Sequence, residues 1–197
     1  MTFQDTVSAA LATAAQRGPD SPDDGSLLHG IARRDPRSLA ELQKRHHARL
    51  WGYIARRVGD RQLAEEVEQD VWLAVWQQAG RYRGDSRVST WLLGIAHHKA
   101  MSALRRRWPQ PVDAVPDQPA DPGWQPEARL DARETRAALA AAIGRLSPLH
   151  RATLDLVLGH GLSLEETARV MGCPVGTVKS RLSYARKYLA RDLALGR

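Results

Sequence analysis

Between residues 36 and 58 the apolar positions Leu39, Leu42, Leu50, Tyr53, Ile54 and Val58 fall mostly three or four apart, the spacing of a helix with one buried face. Its start is legible in Asp35-Pro36, a capping carboxylate followed by a ring suited to the first helical position. Gly59-Asp60 ends it and caps the next helix, about 61–79, which buries Leu63, Val67, Val71, Ala74 and Val75 and stops at Gly80. A polar loop runs from Arg81 to Arg87, and Ser89 is expected to cap a helix that turns Trp91, Leu92, Ile95, Ala96 and Ala103 inward. That helix ends in Arg105-Arg106-Arg107.

The pattern resumes with Leu139, Ile143 and Leu146 on one helix, then Ser147-Pro148 opening another that ends by Gly159 and Gly161. Ser163 and Glu166 have the spacing of a capping box, in which each side chain satisfies the other's free backbone amide. A short helix to Met171, a turn at Gly172 and a helix from about Val175 follow, the last with Val178, Leu182, Ala185 and Leu189 inward. No segment reads as a strand, so the expected fold class is all-α.

Six of the eleven prolines fall between residues 109 and 126, where no helix can persist. The expected organisation is therefore a flexible leader (1–25), a helical domain (26–108), a Pro-rich acidic linker (109–131) and a second helical domain (132–197). Net charge follows these divisions, at −3, +8, −4 and +6 in turn, for +7 overall. Two basic modules flanking an acidic strip suit a polyanion, most economically nucleic acid. The single cysteine, Cys173, excludes an internal disulfide and a cysteine-clustered zinc site, and is expected to be a small buried hydrophobe. No apolar run approaches the roughly 20 residues that cross a bilayer. Residues 7–15 lack a preceding positive stretch, so a cytoplasmic protein without membrane insertion is expected.

Residues 164–183 have the outline of a helix-turn-helix: small Ala168 at the close approach, Gly172 in the turn, and Val178 and Leu182 pinning the second helix. The outward face of that second helix is expected to show Thr177, Ser180, Arg181 and Tyr184, flanked by Lys179, Arg186 and Lys187, with Arg181 the best candidate to read a base edge. The run GLSLEETARVMGCPVGTVKSRLSYARKYL resembles the promoter-reading C-terminal domain of bacterial sigma factors of the extracytoplasmic-function (ECF) type. Tyr184 stands where that family usually has arginine, and Thr167 where it usually has isoleucine. LAEEVEQDVWLAVW resembles the family's polymerase-docking helix, and WLLGIAHHKAMSALRRR its segment beside the promoter-opening loop, with His98 and Ser102 replacing the usual Asn and Asp.

The resemblance implies a sigma factor that binds core RNA polymerase through the β′ clamp helices and the β flap. It also implies that the factor reads a minus-35 element of promoter DNA, melts the minus-10 element and is held by an anti-sigma factor. The residues suit those roles. Glu65, Glu66, Gln69, Asp70 and Trp76 lie off the buried stripe of their helix and leave an acidic, amphipathic face free. Arg81, Arg83, Arg87, His98, Lys99 and Arg105, with Tyr82 nearby, combine charge and aromatic surface in the way single-stranded DNA is held. Trp91 is expected to be core.

Two other readings compete. A DNA-binding regulator could use the same helix-turn-helix without polymerase, and a helical metal-dependent hydrolase could use the seven histidines. Against the second, His46-His47 and His97-His98 are adjacent pairs that point about 100° apart on a helix, so neither makes an i,i+4 metal face. No metal, cofactor or catalytic residue is therefore expected.

Overall fold

The computed structural model describes residues 23–107 and 132–194. Among these the chain is helical, with no strand. The leader up to residue 22 and the proline-rich segment, including Trp124, lie outside the described residues.

The first helix, α1 (Asp24–Ala32), was not legible in the pattern and begins inside the expected leader. Asp23 caps it, its carboxylate accepting from the Ser26 amide at 2.6 Å, and Leu27, Leu28 and Ile31 are buried. Helix α2 (Pro36–Val58) opens where expected, with Asp35 accepting from the amides of Arg37 and Ser38 at 3.0 and 3.2 Å. It closes at Gly59, whose φ of 72° is open to glycine at little steric cost. Helix α3 (Arg61–Gln78) is capped by Asp60 and runs into a 3-10 turn, Ala79–Arg81, rather than stopping at Gly80.

Helix α4 (Val88–Arg107) corrects one expected boundary. Ser89 lies within its first turn and is no cap; the amides of Thr90 and Trp91 bond to the Arg87 carbonyl, each at 3.0 Å. The second half comprises α5 (Ala132–Arg145), α6 (Pro148–Leu154), a π-helical turn at Asp155–Gly159, α7 (Leu164–Met171) and α8 (Val175–Ala194). Both hydrogen bonds of the Ser163/Glu166 capping box form, and Gly172 takes φ 63° between α7 and α8. Leu139 is exposed instead of inward, while Ile143 is half-buried and Leu146 buried.

Packing departs from the picture of two separate modules. Leu146, Leu154, Leu182 and Ala185 form a small core private to the second half. Ala152, Leu156, Leu162, Val170 and Met171, by contrast, join the same continuous core as Leu50, Tyr53, Leu92, Leu93 and Ala96 of the first half. Burial at roughly 25 cal/mol per Å² of apolar surface makes such a shared core a real source of cohesion. Across the seam the Thr90 hydroxyl donates to Glu166 at 3.1 Å, Arg169 donates to the Asp85 carbonyl, and Arg56 pairs with Asp155 at 3.0 Å.

The close approach of α1 to α2 makes a stability prediction. A Cβ on Gly30 would lie 2.2 Å from the Ser38 Oγ and 2.9 Å from its Cβ. That hydroxyl is fixed by donating to the Asp35 cap at 2.6 Å, so it cannot yield without disturbing the start of α2. Gly30→Ala should therefore destabilise the fold by about 1–3 kcal/mol, as overpacking does. A lowered urea midpoint with unchanged slope is the expected result, and an unchanged midpoint would show that α1 can back away freely.

Candidate nucleic-acid interface

Three surfaces gather the residues singled out in the sequence. On α3, Glu65, Glu66 and Gln69 are exposed, and Asp70 and Trp76 are half-buried. Arg61 pairs with Glu65 at 3.0 Å, and Lys99 approaches Asp70 at 3.8 Å. The Arg34 guanidinium lies 5.4 Å from the Trp76 ring centroid and donates to the Trp76 carbonyl at 3.2 Å, so that indole has one face occupied. Leu73, absent from the sequence-based set, is 53% exposed on the same helix. Its signal was available: Glu66, Gln69, Leu73 and Trp76 follow one another at steps of three and four, so they share a side. Trp72 is buried, its indole N–H donating to Glu68 at 3.4 Å.

The second surface comprises the loop before α4 and the helix itself. Arg81, Arg83, Arg87, His98 and Arg105 are exposed and Lys99 is half-buried. Tyr82 and Trp91 are partly buried and meet edge-on, 5.6 Å between centroids, and the Tyr82 hydroxyl donates to the Ser86 carbonyl. Both aromatics thus brace the loop as well as touching the core. Trp91, Gly94, Ile95, His98 and Lys99 of α4 face Arg169 and Val170 of α7 across a cavity of about 460 Å³.

The third surface, α8, is rotated from the expected view. Lys179, Ser180, Ser183, Arg186 and Lys187 are exposed, whereas Thr177, Arg181 and Tyr184 are half-buried. The Tyr184 ring leans on His150, 4.4 Å between centroids, and Arg181 turns back toward the Cys173 sulfur at 3.8 Å. Cys173 is half-buried beside the core.

Five of the seven histidines, His46, His47, His97, His150 and His160, meet partners within the chain. His46 meets Asp24 at 2.7 Å, His47 meets Glu68 at 2.6 Å, and His150 meets Ser147 at 2.6 Å. His97 is buried, and its Nδ1 shares a 2.7 Å hydrogen bond with the Tyr53 hydroxyl. Burial, then the positive charge of Arg57 and of neighbours including His98, Arg181 and Arg105, pushes its pKa down to about 3. Burial likewise pushes the Tyr53 phenol up to about 12. His160 sits at the seam, where Arg49 donates to its carbonyl at 2.8 Å. Burial pushes it down to about 4, with Asp155 opposing and Arg49 and Arg56 assisting. Among the described residues no three His, Cys, Asp or Glu side chains are grouped to hold a metal ion. No described helix is long and apolar enough to cross a membrane.

With this geometry in hand, comparison with known proteins is decisive about family. Residues 42–110 match the model of sigma-70 region 2, and residues 136–189 that of sigma-70 region 4. The ECF RNA polymerase sigma factor SigM of Mycobacterium tuberculosis is 32% identical over 89% of this chain and 87% of its own. Among solved structures, CnrH in complex with the cytosolic domain of CnrY is 26% identical with a TM-score of 0.61, covering 86% of this chain and 96% of that one. The sigma factor RpoE of Bartonella quintana, solved with the anti-sigma factor NepR, is 25% identical with a TM-score of 0.59, covering 80% and 98%. The chain belongs to the sigma-70 family as an ECF sigma factor, a DNA-binding, non-catalytic subunit that RNA polymerase uses to initiate transcription.

Proposed function

We propose that the two domains divide promoter recognition as follows. Glu65, Glu66, Gln69, Asp70, Leu73 and Trp76 on α3 dock the β′ clamp helices of core polymerase, where an acidic face around an apolar anchor suits a basic partner. Arg81, Arg83, Arg87, His98, Lys99 and Arg105 hold the melted minus-10 strand. Thr177, Lys179, Ser180, Arg181, Tyr184 and Arg186 on α8 address the minus-35 duplex, and the second domain meets the β flap. An anti-sigma factor restrains the free protein in the cytoplasm, a reading supported by the RpoE relative having been solved with one.

The observation that carries the minus-35 assignment is the turn itself. A complete capping box starts α7, left-handed Gly172 ends it, and α8 then leaves with Lys179, Ser180 and Arg186 on its exposed side. Binding of holoenzyme to a randomised minus-35 library across a salt series tests it. Lys179→Ala should weaken all sequences alike and reduce the salt slope by about 1, as loss of a phosphate contact does. Arg181→Ala should flatten preference at one base pair at a cost of about 1–3 kcal/mol, provided Arg181 swings out from Cys173 when DNA is bound. Unchanged base preferences in Arg181→Ala would transfer the reading role to the already exposed Ser180.

A further inference from the structure

Among the described residues Arg34 is the only one other than glycine with a positive φ, 69°. The turn between α1 and α2 forces it there. The Asp35 amide bonds to the Gly30 carbonyl at 3.1 Å and the Arg34 amide to that of Ile31 at 2.9 Å. That pair of bonds is the helix-ending motif whose left-handed position ordinarily belongs to glycine. Asp35, the next residue, already caps α2, so the turn has no slack in which to relax. Glycine would sit at position 34 without strain, whereas the Cβ of arginine crowds the carbonyl that follows it.

The arginine side chain reaches α3 from this site. Its guanidinium lies 5.4 Å from the Trp76 ring centroid, and Nη1 donates to the Trp76 carbonyl at 3.2 Å. Trp76 stands in the last turn of α3, where the helix dipole favours a cation. Arg34 is exposed, and a cation over an indole adds little to a fold while water surrounds it. The same pair is worth more once a covering surface excludes that water. Strain kept in the free protein, with a contact that strengthens only under a partner, is characteristic of a functional surface. An indole placed beforehand also loses less freedom on binding than one that must first be fixed.

We infer that Arg34 is a positioning residue for polymerase docking: from its left-handed site it holds the Trp76 indole in the orientation that core polymerase covers. The inference rests on the assignment of the Gln69, Leu73 and Trp76 side of α3 to that partner.

The test compares full-length Arg34→Gly, Arg34→Ala and Arg34→Lys with wild type. Three quantities are read: the urea midpoint, affinity for core RNA polymerase by fluorescence titration, and fluorine NMR of protein grown with a fluorinated tryptophan, the Trp76 signal being assigned through Trp76→Phe. Glycine relaxes the turn, so Arg34→Gly should unfold at a higher urea midpoint than Arg34→Ala. Both should shift the Trp76 resonance and bind core about fivefold more weakly, as loss of a desolvated cation over an indole implies. Arg34→Lys, which keeps a cation without the flat group that stacks on the ring, should fall between them and wild type. Affinity would then follow the side chain and not stability, which a merely structural role cannot produce. Core affinity of Arg34→Gly within twofold of wild type, an unmoved Trp76 resonance, or affinity losses that scale with stability losses across the three variants would each overturn the inference. Leu73→Asp/Gln69→Ala is the control. Native affinity in that variant moves docking off α3 and removes the inference with it, whereas a loss there beside native affinity in Arg34→Gly confines the failure to Arg34.

Discussion

Leu73→Asp combined with Gln69→Ala should lower affinity for core RNA polymerase by on the order of 30-fold or more, the loss of about 2 kcal/mol or above that marks an interface hot spot. Leu73 is 53% exposed and flanked by Glu66 and Gln69, which are exposed, and by half-buried Trp76. An apolar side chain ringed by polar ones is the arrangement in which a central contact is desolvated while its rim excludes water. Neither residue supports the interior, since α3 buries Ala64, Val67, Val71, Trp72, Ala74 and Val75 on other sides. Thermal stability should accordingly move little, and fluorescence titration with core enzyme reads the effect directly. Native affinity in the double variant would move the docking surface off α3.

Acid should weaken the fold well above the carboxylate range, and by a large margin. His97 and His160 are pushed down to about 3 and about 4, chiefly by burial, from an ordinary value of 6.5. The unfolded chain therefore binds protons that the folded one refuses. Stability is fully present above about pH 6.5 and falls as pH drops toward those depressed values, by about 1.4 kcal/mol per pH unit for each histidine. Urea unfolding at pH 7 and pH 5 should differ by on the order of 2–4 kcal/mol. Asp35, Asp60 and Glu165, held below their usual range by hydrogen bonds at helix starts, add their losses only at lower pH. Equal stabilities at the two pH values would mean that His97 and His160 accept protons without opening the fold. His97→Gln should remove about half of the difference.

Local chemistry made most of the helices legible. Asp35-Pro36 and Gly59 bound α2 where their chemistry says they should, and Ser163 with Glu166 builds the capping box that starts α7. Helix α1 escaped because Pro22 and Gly25 read as loop, although Leu27, Leu28 and Ile31 already had helical spacing. Ser89 misled for a related reason: serine favours a cap, but the Arg87 carbonyl two residues earlier already takes the first amides of α4. On α3 the acidic face was visible and its apolar centre, Leu73, was not, because the buried stripe drew the eye to Val67, Val71 and Val75. The rotation of α8 was beyond periodicity. Arg181 and Tyr184 are polar enough to read as outward, and only the presence of Cys173 and His150 beside them turns them in. Nor can a helical pattern say which helix its apolar face will meet. Val170 and Met171 announce that α7 is buried, and not that part of what buries it is α4.

The seam between α4 and α7 joins two halves of one covalent chain, so its strength is felt through a tether rather than through protein concentration. Partners linked by a short segment see each other at effective concentrations that reach the millimolar range, and that value falls as the segment lengthens. A contact too weak to hold two separate molecules together can therefore keep this chain shut at any dilution. The length of the segment 108–131 then sets how strongly the two halves of the free chain see each other. Inserting residues there should loosen the seam without changing any side chain that forms it.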